Sequence, residues 1–205
     1  MKPILTTAVL LVAAVVVGVW ALPLVTGPEA AAQEQEGGRM AERHAEIFDD
    51  VTEAVAVIHP THENDVRGWV RFRERDNGRV RVTAELEGLN AGQAHGFHIH
   101  EYGDCTAGDG TSAGSHYNPA DHPHGLPNGD ERHAGDLGNL EANDDGVATL
   151  ELTVSNVTVA GLRNPILGRG VIVHAEEDDG SQPLGGAGAR LGCGVIGIAE
   201  PREQQ

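Results

Sequence analysis

Apolar and polar residues alternate in short runs from residue 51 onward. The clearest run is 66–74, where the apolar or glycine positions Val66, Gly68, Val70 and Phe72 alternate with Arg67, Trp69, Arg71 and Arg73. A period of two residues is typical of a β-strand with one buried face. The turn sequence Asp76-Asn77-Gly78 follows and predicts a hairpin into a second alternating run, 79–89. The first part of the domain is therefore predicted to be antiparallel β-structure.

Five further segments have the length and composition of strands. They are 51–58, 94–100, 147–154, 170–175 and 193–199. The chain also contains 28 glycines and few aromatic residues, which favours many tight turns over long helices. Short strands at this close spacing predict an all-β sandwich or barrel.

Two long segments do not follow this pattern. The first runs from Glu101 to Leu140 without sustained periodicity, and the second, from Asp178 to Ala189, is rich in glycine. A long irregular segment inside a compact domain usually has a functional role. We expect the functional site where these two loops meet.

The N-terminal segment 1–32 has one cation, Lys2, followed by an apolar run from Ile4 to Val25. This composition is typical of a signal peptide, and the length also allows a membrane anchor. Small residues before Gln33 favour removal at that point. The protein is therefore expected to be exported to a periplasmic or extracellular space, and to be tethered to a membrane only if the segment is retained. The expected organisation continues with a polar linker over 33–51 containing a short helix near Met40–Phe48, a folded domain over 52–199 and a tail over 200–205.

The chain is strongly acidic. Its formal net charge is −17, and Lys2 is the only lysine. A chain without a basic surface has little with which to displace the counterions of a phosphate backbone. This balance argues against a nucleic-acid partner.

The only two cysteines, Cys105 and Cys193, can form a disulfide if the domain is exported to an oxidising compartment. Two separate buried thiols are the alternative. A disulfide would close a loop of 88 residues, and in the chain-entropy model it would stabilise the fold by at most about 4–5 kcal/mol. It would tie the first long loop to the C-terminal strand.

Seven of the eleven histidines lie between His95 and Asp136. On a strand, His98 and His100 project from one face and can bind one metal ion together, although such a pair alone also fits a polar sheet face. Three imidazoles and one carboxylate further along the chain form a set typical of structural zinc, namely His116, His124, His133 and Asp136. With His174 on a later strand, the chain offers too many ligands for a single ion.

These residues resemble the motifs of the copper/zinc superoxide dismutase family, and the resemblance covers about 52–199. The matching stretches follow the family's order: GFHIHEYGD (96–104), SAGSHYNP (112–119), ERHAGDLGN (131–139), VIVHAEEDD (171–179) and GARLGCGVIGIA (188–199). The resemblance implies an all-β, Greek-key antiparallel sandwich or barrel of about eight strands with two long functional loops. It also implies one copper and one zinc per subunit as cofactors.

Carried over by position, the resemblance implies two adjacent metal sites. Copper would be bound by His98, His100, His116 and His174. Zinc would be bound by His116, His124, His133 and Asp136. His116 would bridge the two ions as an imidazolate, a form that only adjacent cations favour.

Two further residues have implied roles around these sites. Asp178 would join the outer ring nitrogens of His98 and His124 and so fix the orientation of both rings. Arg190 would orient the substrate anion beside copper. The alternative role for Arg190 is a salt bridge that caps the C-terminal strand.

The implied activity is the dismutation of superoxide to O₂ and hydrogen peroxide by redox cycling of copper next to a structural zinc. After reduction, His116 would take up a proton and pass it to the departing peroxide. One alternative is an exported copper- and zinc-binding module without turnover, and another is a structural sandwich that has lost the site. No ligand is missing from the sequence, which favours the enzyme.

Two features depart from the familiar eukaryotic pattern. Cys105 follows His100 by only five residues, as is common among bacterial members. The segment 180–189 is short and has no charged residue, so guidance of superoxide by flanking lysines is lost. Because the net charge also repels an anion, we expect slower and more salt-sensitive capture than in members with a lysine-bearing loop.

The remaining signals concern assembly and the other polar residues. The C-terminal sequence GVIGIA resembles members that dimerise through this region, so a homodimer is expected. His95 is expected to be a hydrogen-bonded core residue, while His122 could compete with His124 for zinc. The other histidines, His44, His59 and His62, are expected at the surface. The sequon that begins at Asn156 has meaning only in a eukaryotic secretory pathway.

Overall fold

The computed structural model describes residues 50–129 and 131–202, together with positions 36, 38–40, 42, 43 and 48. The predicted signal or anchor segment and most of the predicted linker, including His44, lie outside the described residues. Residues 40, 42, 43 and 48, which belong to the predicted short helix, are helical. No helix among the described residues has the length and apolar character needed to cross a membrane. The fold below belongs to the compact unit that begins at Met40.

The described residues from 50 to 202 form nine β-strands and one short 3-10 helix, which confirms the predicted all-β class. The strands are β1 (Glu53–Pro60), β2 (Arg67–Glu74), β3 (Val80–Glu87), β4 (Ala94–His100), β5 (Asp136–Glu141), β6 (Ala148–Val154), β7 (Gly170–His174), β8 (Arg190–Val195) and β9 (Gly197–Ile198). The 3-10 helix spans Thr111–Ala113. All paired strands are antiparallel.

The strands form two sheets that are joined along one side into a nearly closed barrel. Hydrogen bonds link them in the order β5-β4-β7-β8-β1-β2-β3-β6, and β9 pairs with β1. The last residues of β1, His59 and Pro60, pair with Cys193 and Gly192 of β8 and connect the two sheets. The chain crosses between the sheets from β3 to β4, from β5 to β6 and from β6 to β7. These crossings give the Greek-key arrangement.

The core lies between the inner faces of the two sheets. On β2 the side chains of Val70 and Phe72 are fully buried, and on β3 those of Val80 and Val82 are also buried. This is the face that the alternating pattern predicts. Gly78 closes the β2–β3 hairpin with a φ of 70°, a conformation that favours glycine. The predicted hairpin is thereby confirmed.

Two strand predictions need correction. The segment predicted as loop up to Leu140 contains β5, whose residues Asp136 and Gly138 interrupt the apolar alternation that would have predicted it. The predicted strand 193–199 is two strands, β8 and β9. The backbone of Ile196 bonds with Gly168 and Arg169, just before β7, at distances of 2.8 and 2.9 Å, and Gly197 and Ile198 then pair with β1. At this residue the chain therefore changes its pairing partner, from β7 in one sheet to β1 in the other.

Candidate metal centre

Strand β4 is buried on both faces. Phe97 and Ile99 point into the barrel core, while His98 and His100 point to the opposite face. That second face is buried because the two long segments, 101–135 and 175–189, fold over it. The predicted meeting of the two loops is therefore the place where the histidines lie.

The first ligand group joins residues from two strands and one loop. Its members are His98, His100, His116 and His174, and one ligand atom of each lies within 4.8 Å of the others. Nδ1 of His100 donates to the carbonyl of Gly114 at 3.0 Å, and Nδ1 of His174 donates to that of Gly188 at 3.2 Å. Both Nε2 atoms are then free of protons and face each other at 3.4 Å.

The second ligand group lies deeper in the first loop and at the start of β5. Its members are His116, His124, His133 and Asp136, and all four are buried. Nδ1 of His116 lies 2.9 Å from Oδ1 of Asp136 and 3.4 Å from Nδ1 of His133. Nδ1 of His124 lies 2.9 Å from Oδ2 of Asp136. His116 belongs to both groups, with Nδ1 on this side and Nε2 left for the first group.

The spacing within each group matches the needs of a metal ion. Ligand atoms about 2.0–2.1 Å from a tetrahedral zinc ion lie roughly 3.3 Å from one another. The distances between neighbouring ligand atoms run from 2.9 to 3.4 Å, close to this value. Two facing imidazole nitrogens without a proton between them repel each other, so a cation between them would offset an unfavourable contact.

Two buried nitrogens have no hydrogen-bond partner, and they test the fit of a metal directly. Asp178 accepts hydrogen bonds from Nε2 of His98 at 2.8 Å and from Nε2 of His124 at 2.9 Å. Each ring thus presents Nδ1 as a lone pair, and both Nδ1 atoms are buried without a hydrogen-bond partner. A buried polar atom without a partner costs about 1–3 kcal/mol. The donor set therefore fits a metal ion in each group.

Three histidines of the first group, His98, His100 and His174, are neutral at pH 7. Burial lowers the pKa of His98 to about 4, that of His100 to about 2 and that of His174 to about 3. Burial would raise the pKa of Asp178, but the hydrogen bonds from His98 and His124 lower it well below its usual range. Neutral rings are the protonation state that metal-binding histidines require, and the ionised Asp178 fixes the orientation of two of them.

The first group opens onto a cavity, whereas the second is enclosed. The cavity has a volume of about 390 Å³ and is lined by His100, Ser115, His116, His174, Leu184, Gly186, Ala187, Gly188 and Arg190. The guanidinium of Arg190 donates to the carbonyls of Gly110 and Gly114, both at 2.7 Å. Arg190 makes no salt bridge among the described residues, so the alternative role as a salt-bridge cap is not observed. A small anion that enters the cavity meets Arg190 and the open side of the first group.

A disulfide joins Cys105 to Cys193, which confirms the predicted pairing. Cys105 belongs to the first loop and Cys193 to β8, three residues after Arg190. Their Cα atoms are 5.8 Å apart. The bond therefore holds the loop that supplies the carbonyl partners of Arg190 against the strand that carries Arg190.

The structure also places the histidines outside the two groups. His95 is fully buried and its Nδ1 bonds with the carbonyl of His174 at 2.8 Å, so it is the hydrogen-bonded core residue that was expected. His122 is exposed and belongs to neither group. His59 and His62 are exposed, as predicted.

Some supporting residues were not predicted. Asn139 donates to the carbonyl of Asp178 at 2.9 Å and accepts from its backbone N–H at 2.8 Å. The carbonyl of Gly114 accepts from both His100 and Arg190. Asn139 ends the motif ERHAGDLGN, so a signal existed for it, whereas no sequence pattern marks a backbone carbonyl.

Comparisons with known proteins agree on one family. The family model described as copper/zinc superoxide dismutase (SODC) matches residues 66–196. A curated protein from Arabidopsis thaliana, superoxide dismutase (Cu-Zn) 3, is 45% identical over 152 residues, which are 71% of this chain and 90% of that protein. A solved structure titled as a crystal structure analysis of the clock protein EA4 aligns with a TM-score of 0.66 and 36% identity, covering 72% of this chain and 95% of that chain.

Proposed function

Because the chain belongs to the copper/zinc superoxide dismutase family, we propose that its two ligand groups hold one copper and one zinc ion side by side, with His116 as a ligand of both. The protein is a superoxide dismutase that uses copper and zinc. It converts two superoxide anions and two protons into one O₂ and one hydrogen peroxide. The observation that carries the residue assignment is the pair of buried ligand groups that share His116.

The environment of each group supports the choice of metal. The group of His98, His100, His116 and His174 borders the cavity, so it is the site that substrate can reach. The group of His116, His124, His133 and Asp136 is a closed set of three imidazoles and one carboxylate, which is typical of structural zinc. When bound, copper supplies the one-electron redox change that dismutation requires, and zinc supplies a fixed positive charge.

Arg190 attracts and positions superoxide in this proposal. Its guanidinium is half-buried in the cavity wall and is fixed by two backbone carbonyls. Burial lowers the pKa of Arg190, but the pKa of an arginine lies so far above 7 that the guanidinium keeps its charge at pH 7. A rigid cation beside the first ligand group gives an anion a defined place without reorganisation of the protein.

His116 has the position of a proton donor to the cavity. Its Nδ1 lies against Asp136, while the ring lines the cavity with the other nitrogen, Nε2, on the side of the first group. A proton held at Nε2 would therefore face the substrate. This would bring one of the two protons of hydrogen peroxide to the place where it is needed.

Replacing Arg190 tests whether the protein is an enzyme or only a metal-binding module. The variant Arg190→Gln should keep its copper and zinc content and lose roughly tenfold or more in kcat/KM for superoxide, because one preorganised charged donor is removed. Arg67→Gln, at an exposed salt bridge with Glu87, is the matched control and should keep full activity. A fully metallated wild-type chain without turnover would favour the module. An unchanged kcat/KM in Arg190→Gln would refute the role given to this residue.

The finer proposal for assembly is a homodimer. Four large apolar side chains are exposed on the paired strands β1, β8 and β9 and just after β4, with exposures of 53% for Val57, 60% for Tyr102, 43% for Val195 and 64% for Ile198. Exposed apolar side chains that lie close together are typical of an interface. The variant Ile198→Glu should be monomeric by light scattering, with an unchanged far-UV spectrum. A monomeric wild type at micromolar concentration would contradict the proposal.

The finer proposal for localisation is export. The apolar run of segment 1–32 and the disulfide between Cys105 and Cys193 support it, because disulfides persist in oxidising compartments. The folded domain would span 52–199. Mass spectrometry of the protein from its own cells would show whether the chain begins at Gln33 or retains the segment as an anchor.

A further inference from the structure

A second cavity lies on the outer face of β2 and β3, and none of the metal-centre residues lines it. Its volume is about 160 Å³, and its lining consists of Trp69, Arg71, Arg73, Arg81, Thr83 and Arg202. Four of these six side chains are guanidinium groups. The chain as a whole carries a net charge of −17, so four guanidinium groups around one cavity are unexpected and point to a role for their charge.

The strand register brings these cations together. Arg73 lies directly opposite Arg81, and Arg71 lies opposite Thr83. Like charges directly opposite each other on an antiparallel pair destabilise the sheet. The register therefore places two like charges next to each other at the centre of this face.

The carboxylates nearby neutralise only part of this charge. Glu53 accepts from Arg71 at 2.7 Å and from Arg73 at 2.6 Å, and Glu151 accepts from Arg81 at 2.6 Å. The guanidinium of Arg202 has no partner among the described residues. Four cations thus face two carboxylates, which leaves two positive charges without a paired carboxylate.

Both carboxylate oxygens of Glu53 are already paired with arginines. Burial would raise its pKa, but hydrogen bonds from Arg71, from the backbone of Arg202 and from Arg73 lower it, so the carboxylate is ionised at pH 7. It cannot supply a second negative charge. The Nε atoms of Arg71 and Arg81 are also buried without a hydrogen-bond partner. The described residues around the cavity therefore leave part of its positive charge and two N–H donors unmatched.

We propose that this cavity binds a phosphate group, either as inorganic phosphate or as a small phosphate monoester. A phosphate group at pH 7 carries about 1.5 to 2 negative charges and several acceptor oxygens, which suit the excess positive charge and the unpartnered donors of the cavity. The volume is below the roughly 300 Å³ of sites for larger ligands, so the bound part is small. Trp69 provides an apolar wall on one side.

Trp69 also provides the measurement. The chain has two tryptophans, Trp20 and Trp69, so the full-length variant Trp20→Phe has Trp69 as its only indole. Its emission should change and saturate as inorganic phosphate is added at constant ionic strength, with chloride as the reference salt. Glycerol phosphate in a second titration distinguishes the monoester from the free ion. The response should persist in Arg190→Gln, which removes the cation of the metal-centre cavity.

Charge variants in the same background locate the site. Arg81→Gln and Arg202→Gln should each weaken phosphate binding roughly tenfold, the loss expected for one charge-assisted hydrogen bond. Arg67→Gln removes the same charge from the same strand region but not from the cavity lining, and it should bind like the parent. Dismutase activity and thermal stability of each variant show that it is folded.

Three outcomes would overturn the proposal. The first is a Trp69 response that does not saturate or that chloride reproduces. The second is equal weakening in Arg67→Gln, which would indicate only a general field effect. The third concerns residues 203–205, which follow Arg202 in the sequence and lie outside the described residues. If phosphate binds only to a chain that ends at Arg202, those residues are the natural occupant of the cavity.

Discussion

Four histidines of the metal centre have one ring nitrogen held by a protein group and the other directed into a ligand group. His100 and His174 are held by backbone carbonyls, whereas His98 and His124 are held by the single carboxylate of Asp178. That the residues of each ligand group lie together could be predicted, because their motifs match the residue types and spacing of the family. The role of Glu53 could not be predicted, because its partners Arg71 and Arg73 lie on another strand and no local pattern marks the contact.

Asp178 links the two ligand groups, so its replacement should affect both metals. In Asp178→Asn the neutral amide has only one acceptor oxygen, so it cannot accept hydrogen bonds from both His98 and His124. The affinity for zinc and copper should therefore fall roughly 10–100-fold. Competition with a chelator measures both affinities. Asp179→Asn is the control, since Asp179 is exposed and caps Ser181 instead. Equal affinities in Asp178→Asn and the wild type would show that ring orientation does not depend on this carboxylate.

Glu53 makes the stability of the fold depend on pH in the acid range. Its pKa is lower in the folded protein than its ordinary value of 4.5, so its stabilisation is present above pH 4.5 and is lost as the pH falls through the folded pKa. Glu53→Gln should therefore lower the free energy of unfolding by about 1–3 kcal/mol at pH 7.

Urea titrations of the wild type and Glu53→Gln across the acid range would measure this effect. The difference between them should shrink below pH 4.5. Glu87→Gln, which breaks an exposed salt bridge, should cost at most about 1 kcal/mol at any pH. A difference for Glu53→Gln that stays constant with pH would contradict the role of its ionised form.

At the scale of the elements, the metal centre depends on loops folded over a strand that is buried on both sides. Strands β2 and β3 were predictable because one face meets the core and the other meets solvent. Strand β5 was not, since Asp136 and Asn139 serve the metal centre and break its alternation. The alternation of apolar and polar residues therefore fails to predict a strand where its residues serve the metal centre.

The disulfide joins the first loop to β8, and its loss should be felt at Arg190. The double variant Cys105→Ser, Cys193→Ser should lose at most about 4–5 kcal/mol of stability, measured by denaturant. Its kcat/KM should fall as well, because the carbonyls of Gly110 and Gly114 are no longer held against Arg190. Lost stability with unchanged kcat/KM would show that the loop holds Arg190 without the disulfide.

At the scale of the whole molecule, the charge of the protein opposes the charge of its substrate. The net charge is −17, and the loop 180–189 beside the cavity contains no charged residue. Attraction of superoxide therefore depends on Arg190 and the bound metals alone. Electrostatic repulsion over the rest of the surface extends about 30 Å at 0.01 M salt and about 8 Å at 0.15 M salt.

Capture of superoxide should consequently be slow at low salt and faster as salt screens the repulsion. A cation at the cavity should remove this dependence: Leu184→Lys, at a residue that lines the cavity, should raise kcat/KM at low salt and flatten its rise with salt. Leu162→Lys changes the charge equally at an exposed site away from the cavity and should have little effect. A wild-type rate that ignores salt and matches members with a lysine-bearing loop would refute the prediction.

The most direct measurement is the copper and zinc content of the full chain together with its dismutase activity, beside the variant His116→Ala. The shared ligand predicts about one copper and one zinc per wild-type chain, activity that disappears when copper is removed, and weaker binding of both metals in His116→Ala. Zinc without copper, or His116→Ala with full metal content and full activity, would contradict a dinuclear centre that shares this histidine.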